Sequence, residues 1–297
     1  MLSNIFNLFL AANLNWRVII SAIFIVSCFL IYYTTLLPES PRWLFSHGGS
    51  EKARKALACL NYKFDNKQTW EEINILANKE RINIFKVLTQ RSNVIPILVV
   101  TAAVSLNQLS GINGFLQCSV TILKQTGISS EIVGLIGGIS ITGINFLATI
   151  LTLIFIERLG RRKILKIGTF SLLFTLILLG ILNYILPEIP IKGYITLVGI
   201  VLVVGFFAFG PGGVILVLCA ELLPNRVRGI GLSIAFTVGG LVGMFFVSAF
   251  LPLSDIIGYS GLFFLIAFFV FCYVLISFTI PETKGKTLEE IEMEYKK

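Results

Sequence analysis

Seven apolar runs, each about the 20 residues a helix needs to cross a bilayer, constrain this chain more than any motif in it. They are Trp16–Leu37, Val94–Leu116, Ile132–Ile156, Ile164–Leu186, Tyr194–Cys219, Gly229–Leu251 and Ser260–Ile280. In hydrocarbon every backbone N–H and C=O must find a partner, so only helices and closed barrels can span. The runs are continuous rather than alternating, which excludes barrel strands. The sequence therefore predicts an all-α integral membrane protein. A mean hydropathy of +0.88 and only 13% charged residues agree with that reading.

The charges between the runs orient them. Lysine and arginine crowd the segment from Pro38 to Asn93, the turn from Arg158 to Lys166, the pair Arg226 and Arg228, and the tail; the intervening connections hold single lysines, Lys124 and Lys192, or none. By the positive-inside rule the rich connections are cytoplasmic, which predicts an external N-terminus and a cytoplasmic C-terminus. The net charge of +8 is then topology rather than a nucleic-acid footprint. The five cysteines lack ligand or redox spacing, and the single His47 lies in a polar turn, so the sequence predicts neither metal nor cofactor.

The second run continues to Leu123 as VIPILVVTAAVSLNQLSGINGFLQCSVTIL and carries Asn107, Gln108, Ser110, Gly111 and Asn113 in mid-membrane. Buried amides are costly in hydrocarbon unless they face another helix or a wet cavity. Read as one continuous helix, the stretch separates Gln108 and Asn113 by roughly 140° around the axis. Both could border a wide cavity but could not form one narrow stripe. From the residues alone, a substrate pathway and plain interhelical packing weigh equally. Asn145 is a further amide in the third run, and Gly210-Pro211 with Gly212-Gly213 marks a bend in the fifth.

Between the first two runs, Pro38 and Pro41 end a helix, and Ser50-Glu51 and Thr69 with Glu72 open two short polar helices, Lys52–Asn61 and one ending near Glu80. Pro-Glu-Ser after the first run and Pro-Glu-Thr after the seventh form an internal echo. The six runs between the two signals make one complete unit, and the first run reads as the last helix of a preceding one. The expected organisation is a remnant of an earlier helix at 1–13, the last helix of an N-terminal half at 14–37, a cytoplasmic helical linker at 38–93, a six-helix transport half at 94–280 and a cytoplasmic tail at 281–297.

With these segments in place, PESPRWL (38–44), NQLSGIN (107–113), ERLGRRK (157–163), AELLPNRVR (220–228) and PETKGKTLEEIE (281–292), the chain resembles the sugar porter family of the major facilitator superfamily, of the facilitative glucose and trehalose type. The resemblance covers the sixth helix and the C-terminal half of a twelve-helix pattern; the first five helices are absent. It implies alternating access with sugar bound at the midplane. Gln108, Asn113 and Asn145 would contact sugar hydroxyls, and Asn107 stands where a second glutamine is common. Glu157, Arg161, Arg162, Glu221 and Arg228 would form a cytoplasmic gate, and Gly210 and Pro211 the helix bend. Besides Asn107, four positions depart from the common family pattern: Ala208 stands in place of an acid, Leu216 of a tryptophan, and Gln117-Cys118 of an aromatic pair.

No Asp or Glu lies in the middle of a run, which favours facilitated diffusion of a hexose or disaccharide over proton coupling. The expected partners are a small-molecule sugar, membrane lipid and either a missing N-terminal half or a second copy, with no nucleic acid, at the plasma membrane. The alternatives are a truncated, non-transporting carrier-like protein, a proton-coupled symporter and a seven-helix receptor. No nucleophile, acid pair or metal cluster in the runs suggests an enzyme.

Overall fold

The computed structural model describes residues 16–37, 39, 44, 51–52, 55–56, 91–125, 131–187, 190–224 and 227–285. The expected segments at 1–13 and 286–297 and most of the linker, with its helices at 52–61 and 69–80, lie outside the described residues. The chain divides into two compact units, one of Phe9–Val87 and one of Met1–Leu8 with Leu88–Lys297.

In the smaller unit, α1 spans Trp16–Leu36 and is apolar almost throughout. Glu51 and Lys55 form an exposed pair 3.9 Å apart one helical turn from each other, a contact of small energetic weight in water.

The larger unit contains α2 (Arg91–Leu109), α3 (Ile112–Gln125), α4 (Glu131–Leu159), α5 (Arg161–Ile185), α6 (Pro190–Phe207), a π turn at Ala208–Gly212, α7 (Gly213–Leu222) and α8 (Arg228–Thr279). Among the described residues five stretches are long and apolar enough to cross a bilayer: Asn93–Cys118, Gly137–Leu159, Arg161–Ile185, Ile191–Leu222 and Arg228–Thr279. The last has 52 residues, about 78 Å at helical rise and more than twice the hydrocarbon thickness. It does not run straight. Gly258, at φ 69° and ψ 167°, breaks the helical path and leaves arms at 228–257 and 259–279, each long enough to span alone. That break falls inside the connection the sequence predicts between Leu251 and Ser260.

Packing follows the small residues. The first arm of α8 presents Gly231, Ala235, Gly239 and Gly243 at four-residue spacing, and all four are buried. A Cβ on Gly239 would stand 2.5 Å from Val104 Cγ1 of α2, so the two helices approach as closely as backbones allow. Phe115 of α3, Phe250 of the first arm and Phe263 of the second fill the centre, with Phe115 edge-on to Phe250 at 5.6 Å and stacked on Phe263 at 6.1 Å. Around them Leu172, Leu176, Ile200, Val204, Ile266 and Val270 complete the core.

Candidate substrate site and charged gate

The amide stretch is two helices. Ser110 and Gly111 separate α2 from α3, and Gly111 adopts φ 78°, a left-handed conformation that glycine enters without cost. The break is satisfied locally: Ser110 N–H donates to Leu106 O at 3.0 Å, Ser110 Oγ to Asn107 O at 2.6 Å, and Phe115 N–H to Gly111 O at 2.9 Å. This corrects the angular expectation for a continuous helix. With the axis interrupted between them, Asn113 Nδ2 donates directly to Gln108 Oε1 at 2.8 Å. Gly243 leaves room beside the pair, since a Cβ there would lie 3.2 Å from Gln108 Oε1. Both amides are half-buried. Their mutual bond leaves the Gln108 amino group, the Asn113 carbonyl oxygen and one Asn113 N–H for a ligand.

Asn107 occupies different surroundings. It is buried and faces the hydroxyl of the fully buried Tyr273 on α8, yet among the described residues neither Asn107 Nδ2 nor Tyr273 Oη completes a hydrogen bond. Asn145 on α4 is half-buried, and its backbone carbonyl accepts the Thr149 hydroxyl at 2.8 Å. No hydrogen bond joins its side chain to Gln108 or Asn113 among the described residues. A separate cavity of about 300 Å³ between α5 and α6, lined by residues such as Leu178, Leu182, Tyr194 and Val198, contains none of the amides. Among the described residues no group of three or more His, Cys, Asp or Glu is placed to hold a metal ion.

The expected bend is a π turn spanning Ala208–Gly212 with Pro211 inside it. On one side Gly210 meets Gly168 of α5, where a Cβ on Gly168 would sit 2.3 Å from Gly210 Cα. On the other side lies Thr152 of α4. Leu216, expected at a position usually aromatic, is exposed on α7.

At the charged end, the five expected gate residues divide. Arg161 Nη2 and Glu221 Oε1 pair at 3.3 Å, each about one-fifth exposed. Arg162 donates to Phe278 O at 2.9 Å, and Arg228 to Leu223 O at 3.3 Å. Glu157 is exposed and has no ion pair among the described residues. Among the described residues, buried atoms without a partner remain: the Nε of Arg161, Arg162 and Arg228, and Glu221 Oε2. Such groups are costly to leave unpaired in a dry environment.

Glu282, to which the motifs assign no role, organises this end. Gly160 precedes α5 at φ 88° and caps it with no side chain. The cap comes from 121 residues away, as Glu282 Oε1 accepts the Arg161 N–H at 3.0 Å and, more weakly, the Arg162 N–H at 3.5 Å. A carboxylate at a helix N-terminus gains from the free N–H groups and from the helix dipole. Glycine suits both the φ of 88° and the contact, for a Cβ there would lie 2.8 Å from Glu282 Oε2 and displace the carboxylate. The Pro-Glu-Thr echo was the available signal; its partner was not legible in sequence.

The comparisons with known proteins agree with this architecture. The family described as "Sugar (and other) transporter" matches residues 1–295. The chain belongs to that family. It is 33% identical over 270 residues to the facilitated trehalose transporter Tret1 of Drosophila erecta, covering 86% of this chain and 31% of that protein. It is 29% identical over 297 residues to the putative metabolite transport protein YwtG of Bacillus subtilis strain 168, covering 99% of this chain and 64% of the relative. Among solved structures, the major facilitator superfamily proton:xylose symporter XylE bound to 6-bromo-6-deoxy-D-glucose superposes with a TM-score of 0.81 at 26% identity, over 99% of this chain and 64% of XylE. The fold is thus that of a major facilitator-type helix bundle in a multi-pass membrane protein. The chain spans about a third of the length of the Drosophila relative and just under two-thirds of the other two.

Proposed function

We propose that this chain takes part in transmembrane sugar transport by alternating access, most directly as facilitated diffusion of a hexose or disaccharide. The observation that carries the reading is the Asn113–Gln108 hydrogen bond at the break between α2 and α3. Two amides held against each other in mid-membrane present donors and an acceptor to a neutral polyol while keeping each other oriented. Asn145 on α4, and Asn107 where a second glutamine is common in the family, are the further substrate-binding amides of this reading. The names of the relatives, a trehalose transporter and a xylose symporter, support a small sugar as cargo.

The seven-span arrangement carries an external N-terminus, a cytoplasmic linker at 38–93, a transport half at 94–280 and a cytoplasmic tail at 281–297, at the plasma membrane. Alternate loading of the connections with Lys and Arg supports this orientation. Arg161, Arg162, Glu221 and Arg228, with Glu157 at their edge, then form the cytoplasmic gate. The unpaired buried atoms of the first four support a further set of partners in another conformation or on another polypeptide segment. Uniport is favoured over proton coupling because the carboxylates of the described helices in the larger unit, Glu131, Glu157, Glu221 and Asp255, lie at helix ends or next to the Gly258 break, not in mid-span.

The test is uptake of labelled glucose and trehalose into liposomes containing the full chain, alone and with co-expressed sugar porter N-terminal helices. Asn113→Ala should cut uptake at least fivefold at unchanged protein level, since a hydrogen bond to a neutral ligand group is worth about 1 kcal/mol or somewhat more. Uptake that survives the substitution intact sinks the site; no uptake in either format sinks the transport reading.

A further inference from the structure

Most threonines in these helices bond back to the carbonyl four residues earlier. Thr101, Thr142, Thr149, Thr169 and Thr175 all do so, at 2.7–2.8 Å. This is the ordinary way a helix in lipid satisfies a hydroxyl. Thr152 does more. It is fully buried, and its Oγ1 lies 3.0 Å from Ala148 O on its own helix, 3.1 Å from Ala208 O and 2.7 Å from Phe209 O. The last two carbonyls belong to the π turn. One hydroxyl proton thus sits among three acceptors, with its shortest contact across to the other helix.

The bend offers such a donor two acceptors. A π turn shifts the backbone register, and its carbonyls Ala208 O and Phe209 O lie within reach of a hydroxyl on another helix. In a membrane these are met by side chains of neighbouring helices. The fit is steric as well as polar: a Cβ on Gly213 would lie 2.6 Å from Thr152 Cγ2. Asn145 precedes Thr152 by seven residues, two helical turns, and so lies on nearly the same face of α4. On that helix Ile144 touches α6 where a Cβ on Gly205 would stand 3.2 Å away.

We propose that Thr152 is a positioning residue that clasps the bend at Ala208–Gly212 to the α4 face carrying Asn145. It contacts no sugar. It sets the angle of the bent helix against that face, and through it the rate of the conformational step. The rate claim rests on the transport reading; the clasp itself does not.

The test measures both on the full chain. Thr152→Val keeps shape and burial and removes the donor. Amide hydrogen exchange across residues 203–218 should rise roughly three- to tenfold, the size expected for one buried hydrogen bond. Thr152→Ser should restore it. Thr169→Val is the control, removing an equally buried hydroxyl bonded only within its own helix, and should leave the stretch unchanged. Should Thr152→Val fail to accumulate, Thr152→Cys, a weaker donor of similar volume, must give an intermediate rise. In uptake assays Thr152→Val should lower kcat severalfold with KM nearly constant. Unchanged exchange in Thr152→Val, or an equal rise in Thr169→Val, overturns the clasp. A changed KM at constant kcat overturns the positioning role. Faster exchange in a chain that takes up no sugar upholds the clasp and refutes the transport reading instead.

Discussion

At Ser110–Gly111 the chain interrupts an apolar helix with its own residues; at Ala208–Gly212 it bends one by leaning on two neighbours. The first break closes within ten residues, through the Ser110 hydroxyl, the Ser110 and Phe115 amides and one glycine at φ 78°. Its product is a pair of amides, Gln108 and Asn113, turned toward each other. The second break spreads over three helices, with its carbonyls served by Thr152, 56 and 57 residues away, and its backbone pressed on Gly168 of α5. A self-contained break can hold a binding geometry while helices around it move. A distributed one changes whenever its neighbours shift, which suits a moving part.

The largest effect should come from the distributed break. Gly168→Ala places a methyl group 2.3 Å from Gly210 Cα, where only backbone movement can relieve it. Overpacking of this kind costs roughly 3 kcal/mol. It should appear as a marked fall in the thermal midpoint in detergent and as faster exchange at residues 203–218. Gly138→Ala, at a helical position with nothing within 4 Å of the new Cβ, should be neutral or stabilising by up to ~1 kcal/mol. Equal midpoints for the two variants would remove the close approach between α5 and the bend.

Gly111→Ala comes next. A non-glycine residue held in the left-handed region costs about 1–2 kcal/mol. The new Cβ would also crowd Ile266 Cδ1 at 2.9 Å, though that methyl is the flexible end of its side chain. Exchange should rise at residues 106–116 and stay unchanged at residues 203–218. A rise at both would show the breaks to be coupled, and the contrast between them would fail.

How much of this was written in the sequence differs between the two breaks for the same reason. The all-helical membrane class followed from the apolar runs, and the split of α8 fell at Gly258, inside the connection those runs left open. Ser110, Gly111 and the amides announced an irregular site because every participant is a sequence neighbour. The direct Asn113–Gln108 bond was missed because the angular argument assumed an unbroken axis, which one positive φ invalidates. Gly210-Pro211 announced a bend, but Thr152 in an apolar run reads as an unremarkable small polar residue. Its role depends on which helix packs beside it. Glu282 was hidden in the same way, its cap on α5 joining residues 121 apart. Glu157 shows the converse: a charge inside a recognisable motif that is exposed and forms no ion pair among the described residues.

The smallest and most discriminating change is Ser110→Ala. Its hydroxyl donates to Asn107 O at 2.6 Å in a buried position, a bond worth about 1 kcal/mol. Position 110 lies in the turn after α2, so alanine gains nothing from helix propensity there, and the loss should stay at about 1 kcal/mol or less, visible as a modest rise in exchange at residues 106–111. Gly111 would still carry the left-handed turn, so under the proposed transport function sugar affinity should hold within about twofold. If Ser110→Ala instead loosens the stretch as much as Gly111→Ala, the hydroxyl and not the glycine holds the break open. The first interruption would then depend, like the second, on a single side-chain donor serving backbone carbonyls, and the two would differ only in how far that donor lies along the chain.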